Sequence, residues 1–101
     1  MRRLLKTAPR IDGVFVANDL MAVGALQAID SVGRRVPDDV AVVGFDDIPL
    51  AMMAQPPLTT IRQPIEAMGR EMAGMLIDRL EGRPTPPRMI LPTELVRRDR
   101  A

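Results

Sequence analysis

The run Val40-Ala41-Val42-Val43-Gly44-Phe45-Asp46-Asp47-Ile48-Pro49 constrains this chain more than any other stretch. Four apolar residues, three of them β-branched, lead without polar alternation into a glycine, an aromatic ring and two adjacent carboxylates. Such a run suits a strand buried on both faces, as in a parallel sheet. The carboxylates then fall just past the carboxyl end of the strand, where open α/β sheets bind ligands because the loops diverge there. Gly13-Val14-Phe15-Val16-Ala17, followed by Asn18 and Asp19, repeats the design, so the chain presents two such strand ends.

Between them, Leu20 to Val32 reads as a helix closed by Gly33 at the C′ position. Only Gln27, Asp30 and Ser31 are plainly polar in it. A helix apolar nearly all round buries one face on a sheet and needs a second covering surface, most simply another subunit. Strand, helix and strand in this order make a right-handed βαβ unit. Residues 48–58 form a loop or short helix of small apolar residues, and Leu58 to Arg62 is a third extended segment.

Residues 1–8 read as the tail of a helix stopped by Pro9. Pro64 at N1 opens a helix over 64–81, with an apolar stripe of Ile65, Met68, Met72, Met75, Leu76 and Leu80. A Pro-rich connector, short strand pieces at 89–91 and 94–96, and a charged tail (Arg97, Arg98, Asp99, Arg100) expected to fray complete the chain. This divides it into a βαβ core (1–62), a crossover segment and helix (63–87), and return strands with the tail (88–101).

Composition narrows the chemistry. At 101 residues there is room for one modest core, which eight Met and only two Phe must help to fill. With no Cys and no His, disulfides, zinc sites, a histidine base and a Ser-His-Asp triad are excluded. A net charge of +1 gives no global pull toward nucleic acid or anionic membrane. The basic start, Met1 to Lys6, lacks the apolar run of a secretory leader, and no stretch approaches a membrane span. A soluble cytoplasmic chain is the expectation.

Five linked motifs then carry a family resemblance: Val16-Ala17-Asn18-Asp19-Leu20-Met21-Ala22, Val36-Pro37-Asp38-Asp39-Val40, Val43-Gly44-Phe45-Asp46-Asp47, Pro56-Pro57-Leu58-Thr59-Thr60-Ile61-Arg62-Gln63, and Leu91-Pro92-Thr93-Glu94-Leu95-Val96. In this order and spacing the chain resembles the C-terminal part of a LacI-type transcriptional regulator. The resemblance implies a periplasmic-binding-protein-like, Rossmann-like α/β lobe, a parallel sheet flanked by helices, with a crossover helix belonging to a second lobe. It implies a small-molecule effector, usually a sugar, held between lobes without catalysis, cofactor or metal. It also implies a homodimer, and operator DNA bound through a helix-turn-helix head that these residues do not contain. The chain is thus expected to be a fragment of such a regulator. Alternatives are a piece of a periplasmic-type sugar-binding protein, or a dimerisation module without ligand.

Asp46 leads the candidate ligand contacts, because a carboxylate at a strand end accepts charge-assisted hydrogen bonds from vicinal hydroxyls. Its alternative is capping the next turn, the role assigned to Asp47. Asn18 can donate and accept toward a hydroxyl-rich ligand or cap the following helix. Asp19 is a further ligand candidate that leans toward the N-cap, and Gln63 either lines the cleft or is a polar hinge residue. Phe45 is assigned to the core. Asp46 and Asp47 are poorly placed as a catalytic pair, since neighbouring strand residues point to opposite faces. The resemblance makes Leu20, Met21, Val23, Gly24 and Gln27, with Pro49, Leu50, Met52 and Met53, the expected dimer surface.

Overall fold

The computed structural model describes residues 1–98. The chain falls into two compact units, residues 1–62 with the C-terminal segment from Glu94, and residues 63–93.

The first unit runs α1 (Arg2–Thr7), β1 (Gly13–Phe15), α2 (Asp19–Ser31), β2 (Ala41–Val43), α3 (Pro49–Met53), β3 (Thr60–Arg62) and β4 (Glu94–Val96). β1 and β2 pair in parallel, Val14 opposite Val42, as a βαβ unit requires. β3 and β4 pair antiparallel. Parallel bridges from Val43 to Thr59 and from Asp46 to Arg62 carry β3 alongside the end of β2.

The sequence folds this way because each element buries a small apolar face. Val42 of β2 and Val40 just before it turn inward, where they meet Ala22, Leu26 and Ile29 of α2 together with Leu58. These residues are nearly all Ala, Val and Leu, so α2 can lie close on the sheet. Asn18 caps α2, its Oδ1 accepting the Met21 N–H at 2.9 Å. Gly33 ends it at φ +76°, with the Arg34 N–H returning to the Ile29 carbonyl at 3.2 Å. The Arg34 guanidinium donates to the carbonyls of Ile11 at 2.7 Å and Pro9 at 3.2 Å, fastening the turn after α2 to the entry of β1.

Several expectations need correction. The first strand, expected over residues 11–17 with 13–17 as its buried run, is three residues long, and Phe15 is 65% exposed, so its face is not buried. Val14 packs on the core while Phe15 points the opposite way, onto a face that stays largely exposed. Likewise Ala41 and Val43 are only half-buried, so β2 is covered fully on one face alone. Phe45 is half-buried too, and meets Phe15 edge to face at a centroid distance of 6.4 Å.

The second unit is built on α4 (Ile65–Leu80). Pro64 is its N-cap residue rather than N1, and no α4 residue is buried. The apolar stripe is present but open, with Met68, Met72 and Met75 lining a groove of about 420 Å³ against Arg88 and Met89. No strand forms at 89–91, where Pro87 and Pro92 flank the segment and remove ladder donors.

Candidate functional site

The two strand ends singled out in the sequence are neighbours in space. Past the β1–β2 ladder the backbones stay joined, Val16 N–H to the Val43 carbonyl at 2.8 Å and Asp19 N–H to the Phe45 carbonyl at 2.9 Å. On the far side of β2, Gly44 N–H reaches the Thr59 carbonyl and Asp46 N–H the Ile61 carbonyl, both at 2.9 Å. Asn18 and Asp46 therefore project from adjacent parallel strand ends, backed by β3.

The backbone at this turn is unusual. Asp46 has φ +111° and Asp47 φ +56°. Asp47 lies in the left-handed region that Asp tolerates, whereas Asp46 lies outside it. Such a conformation costs on the order of 1–3 kcal/mol and persists only where surrounding structure over-determines it.

Two sets of contacts supply that restraint. Asp47 is clamped: Oδ1 accepts from Arg98 Nη2 at 2.6 Å and Oδ2 from Arg62 Nε at 2.7 Å. Burial pushes the Asp47 carboxyl up, but the hydrogen bonds and charges of Arg62 and Arg98 outweigh it and hold the group below its ordinary range. Arg98 also donates to the Leu58 carbonyl at 3.0 Å, and its N–H bonds Thr59 Oγ1 at 3.1 Å. The expectation of a frayed tail is thus wrong at Arg98, which is an anchoring residue; Asp99 and Arg100 lie outside the described residues.

Asp19 supplies the second restraint. It has no exposed surface, and its oxygens accept from the Thr60 hydroxyl at 2.6 Å and the Ile48 N–H at 2.9 Å. The N-cap role expected of it belongs to Asn18, because Asp19 already lies in the first turn of α2 with its carboxylate turned into the protein. Gly44 makes room for this: a Cβ there would collide with Asp19 Oδ1 and meet Leu58 Cδ2 at 3.0 Å.

Asn18, Asp19 and Asp46 thus gather in the first unit, and Gln63 opens the second, lining the groove beside α4. Among the expected contact residues, Leu20, Met21, Gly24 and Gln27 on α2 and Pro49, Met52 and Met53 on α3 are exposed, while Val23 and Leu50 are half-buried. α3 packs against α2, so the two sets belong to one unit. Thr60, Arg62 and Arg98 were not singled out from the sequence. The Thr-Thr-Ile-Arg run at the third strand held a signal for the first two, but nothing local marks Arg98.

A parallel α/β unit with a restrained acidic turn at its strand ends defines a ligand-binding class of fold. Comparison with known proteins narrows the class. Residues 1–99 match the family model for the periplasmic binding protein-like domain. The transcriptional regulator CelR of Thermobifida fusca is 53% identical over 100 residues, which is 98% of this chain and 29% of that protein. The lactose operon repressor of Rhizobium radiobacter is 42% identical over 95 residues, covering 94% of this chain and 84% of that sequence. The structure of the CelR–cellobiose complex superposes with a TM-score of 0.91, covering 96% of this chain and 30% of the other. A LacI family regulator from Arthrobacter in complex with lactose is 39% identical with a TM-score of 0.83, covering 96% of this chain and 38% of the other. This chain belongs to the periplasmic binding protein-like family, among the LacI-type transcriptional regulators, and matches the C-terminal part of their effector domain. It spans under a third of the length of CelR.

Proposed function

We propose that this chain is the effector-binding and dimerisation portion of a LacI-type regulator, with a sugar as effector. The observation that carries the reading is the pairing of Asn18 and Asp46 at adjacent parallel strand ends, with the Asp46–Asp47 turn restrained from both sides. A rigid carboxylate beside an amide offers acceptors and donors to vicinal hydroxyls without an ordering cost at binding. Cellobiose and lactose in the complexes of two relatives fit that chemistry. Gln63 adds a polar contact, and residues 63–87 form the crossover toward the opposing lobe.

The mechanism is allosteric and involves no bond chemistry. Effector favours one arrangement of lobes, and the shift passes through the dimer to operator-binding heads. The exposed apolar side chains of Leu20, Met21, Met52 and Met53 support a dimer surface on α2 and α3. Such a regulator works in the cytoplasm, where its operator lies; among the described residues no helix is long and apolar enough to cross a membrane. Calorimetric titration of the chain with cellobiose and with lactose tests the reading. Saturable binding of either supports it, and heats indistinguishable from dilution for both overturn it.

A further inference from the structure

Asp19 stands behind the binding turn rather than in it, yet its bonds reach the backbone on both sides of Asp46. Its N–H donates to the carbonyl of Phe45, the residue before Asp46, at 2.9 Å. Its carboxylate accepts the N–H of Ile48, two residues after Asp46, at 2.9 Å. Its other oxygen takes the Thr60 hydroxyl at 2.6 Å, and the residue after Thr60, Ile61, accepts the Asp46 N–H at 2.9 Å. One buried side chain therefore ties together the turn that follows Asp46 and the strand on which the Asp46 amide rests.

The cost of keeping a carboxylate there is substantial, because burying a charge is unfavourable unless every lone pair is met. The site meets that demand with a hydroxyl, a backbone amide and the positive end of α2. Among the described residues no buried side-chain polar atom lacks a partner. The exclusion of a side chain at Gly44 serves the same carboxylate. An apolar residue would fill this space at lower cost, but it would leave Ile48 N–H and the Thr60 hydroxyl unheld.

We infer that Asp19 is a positioning residue for effector binding: through Ile48 and Thr60 it holds Asp46 in its φ +111° conformation, while taking no part in ligand contact itself. The inference rests on the effector-binding reading above.

The test is titration calorimetry with cellobiose on the wild-type chain and on Asp19→Asn, Thr60→Val, Thr60→Ser, Asp46→Asn and the Asp19→Asn/Asp46→Asn double variant. Asp19→Asn and Thr60→Val weaken binding by about tenfold or more, since the first removes the charge that both donors meet and the second removes a hydrogen bond to it. Thr60→Ser keeps the hydroxyl and binds as wild type does. The double variant binds no more weakly than Asp46→Asn alone, because Asp19 acts only through Asp46. Wild-type affinity in folded Asp19→Asn or Thr60→Val, or additive losses in the double variant, overturns the inference while leaving the effector reading intact. Absence of cellobiose binding by the wild-type chain overturns both. Should Asp19→Asn fail to fold, the Thr60→Val and Thr60→Ser pair decides.

Discussion

Asp47 accepts a hydrogen bond from Arg98 at 2.6 Å across 51 residues of chain. The same carboxylate takes Arg62 at 2.7 Å, so a residue of the acidic turn is joined to β3 and to the segment after β4. Those two strands are register partners, Arg62 opposite Glu94, and the chain leaves for its second unit after Arg62 and returns at Glu94. Asp47 thus links the turn that carries Asp46 to β3 and to the segment that follows β4, all within the first unit.

The clamp stabilises the fold. Asp47 and Arg98 have side chains only 8% and 13% exposed, so removing Arg98 leaves a carboxylate oxygen short of a donor in a poorly solvated place. Arg98→Ala is expected to lower the unfolding free energy by about 2 kcal/mol. Arg62, half exposed, contributes less, and Arg62→Ala is expected to cost about 1 kcal/mol or below. Urea midpoints for the two variants check the order.

The same pair sets a pH dependence. The folded Asp47 carboxyl lies below its ordinary range because Arg62 and Arg98 outweigh burial. The unfolded chain therefore binds the proton first as pH falls. Stability from this group is complete above the unfolded value, about 4, and is lost as pH drops through the lower folded value. Asp47→Asn removes the dependence, so the gap in unfolding free energy between wild type and variant is constant above the unfolded value, about 4, and narrows as pH falls below it. Chemical denaturation on both sides of that value measures it.

Asn18 has two assigned roles that substitution separates. Asn18→Ala loses the bond from Asn18 Oδ1 to the Met21 N–H and is expected to cost about 1 kcal/mol. Asn18→Asp keeps a capping acceptor and should retain the wild-type melting temperature. It removes the amide donor and adds charge beside Asp46, so sugar affinity falls nonetheless. Thermal melts and calorimetry on the two variants distinguish cap from contact.

The α2–α3 surface predicts self-association. Leu20 is 68% and Met53 74% exposed, and both are large apolar side chains. Leu20→Lys and Met53→Glu are expected to shift the chain toward its 11.1 kDa monomer in sedimentation velocity, with helix content unchanged. A monomeric wild type at the same concentration contradicts the assignment.

Much of this architecture is readable from local pattern. The Val40–Val43 run, the Asn18 turn and Gly33 determine strand, cap and stop through short-range chemistry, and all three features stand in the structure. What local pattern cannot carry is long-range pairing. Nothing near Arg98 signals that its partner is Asp47, and a charged end normally reads as solvated. Asp19 was assigned by its place beside a helix start, but Thr60 and Ile48, far along the chain, draw its carboxylate inward. Phe15 departs for a different reason: an apolar strand residue predicts a covered face, and only the edge of Phe45 meets this one, leaving it 65% exposed.

Asp46→Asn offers the most direct measurement, because Asn tolerates positive φ and keeps the side-chain size while removing the charge. Calorimetry with cellobiose should give saturable binding for the wild-type chain and an affinity about tenfold weaker or worse for the variant, at equal melting temperature. Equal affinity in wild type and folded Asp46→Asn would contradict the assignment of the β2 strand end as the effector site.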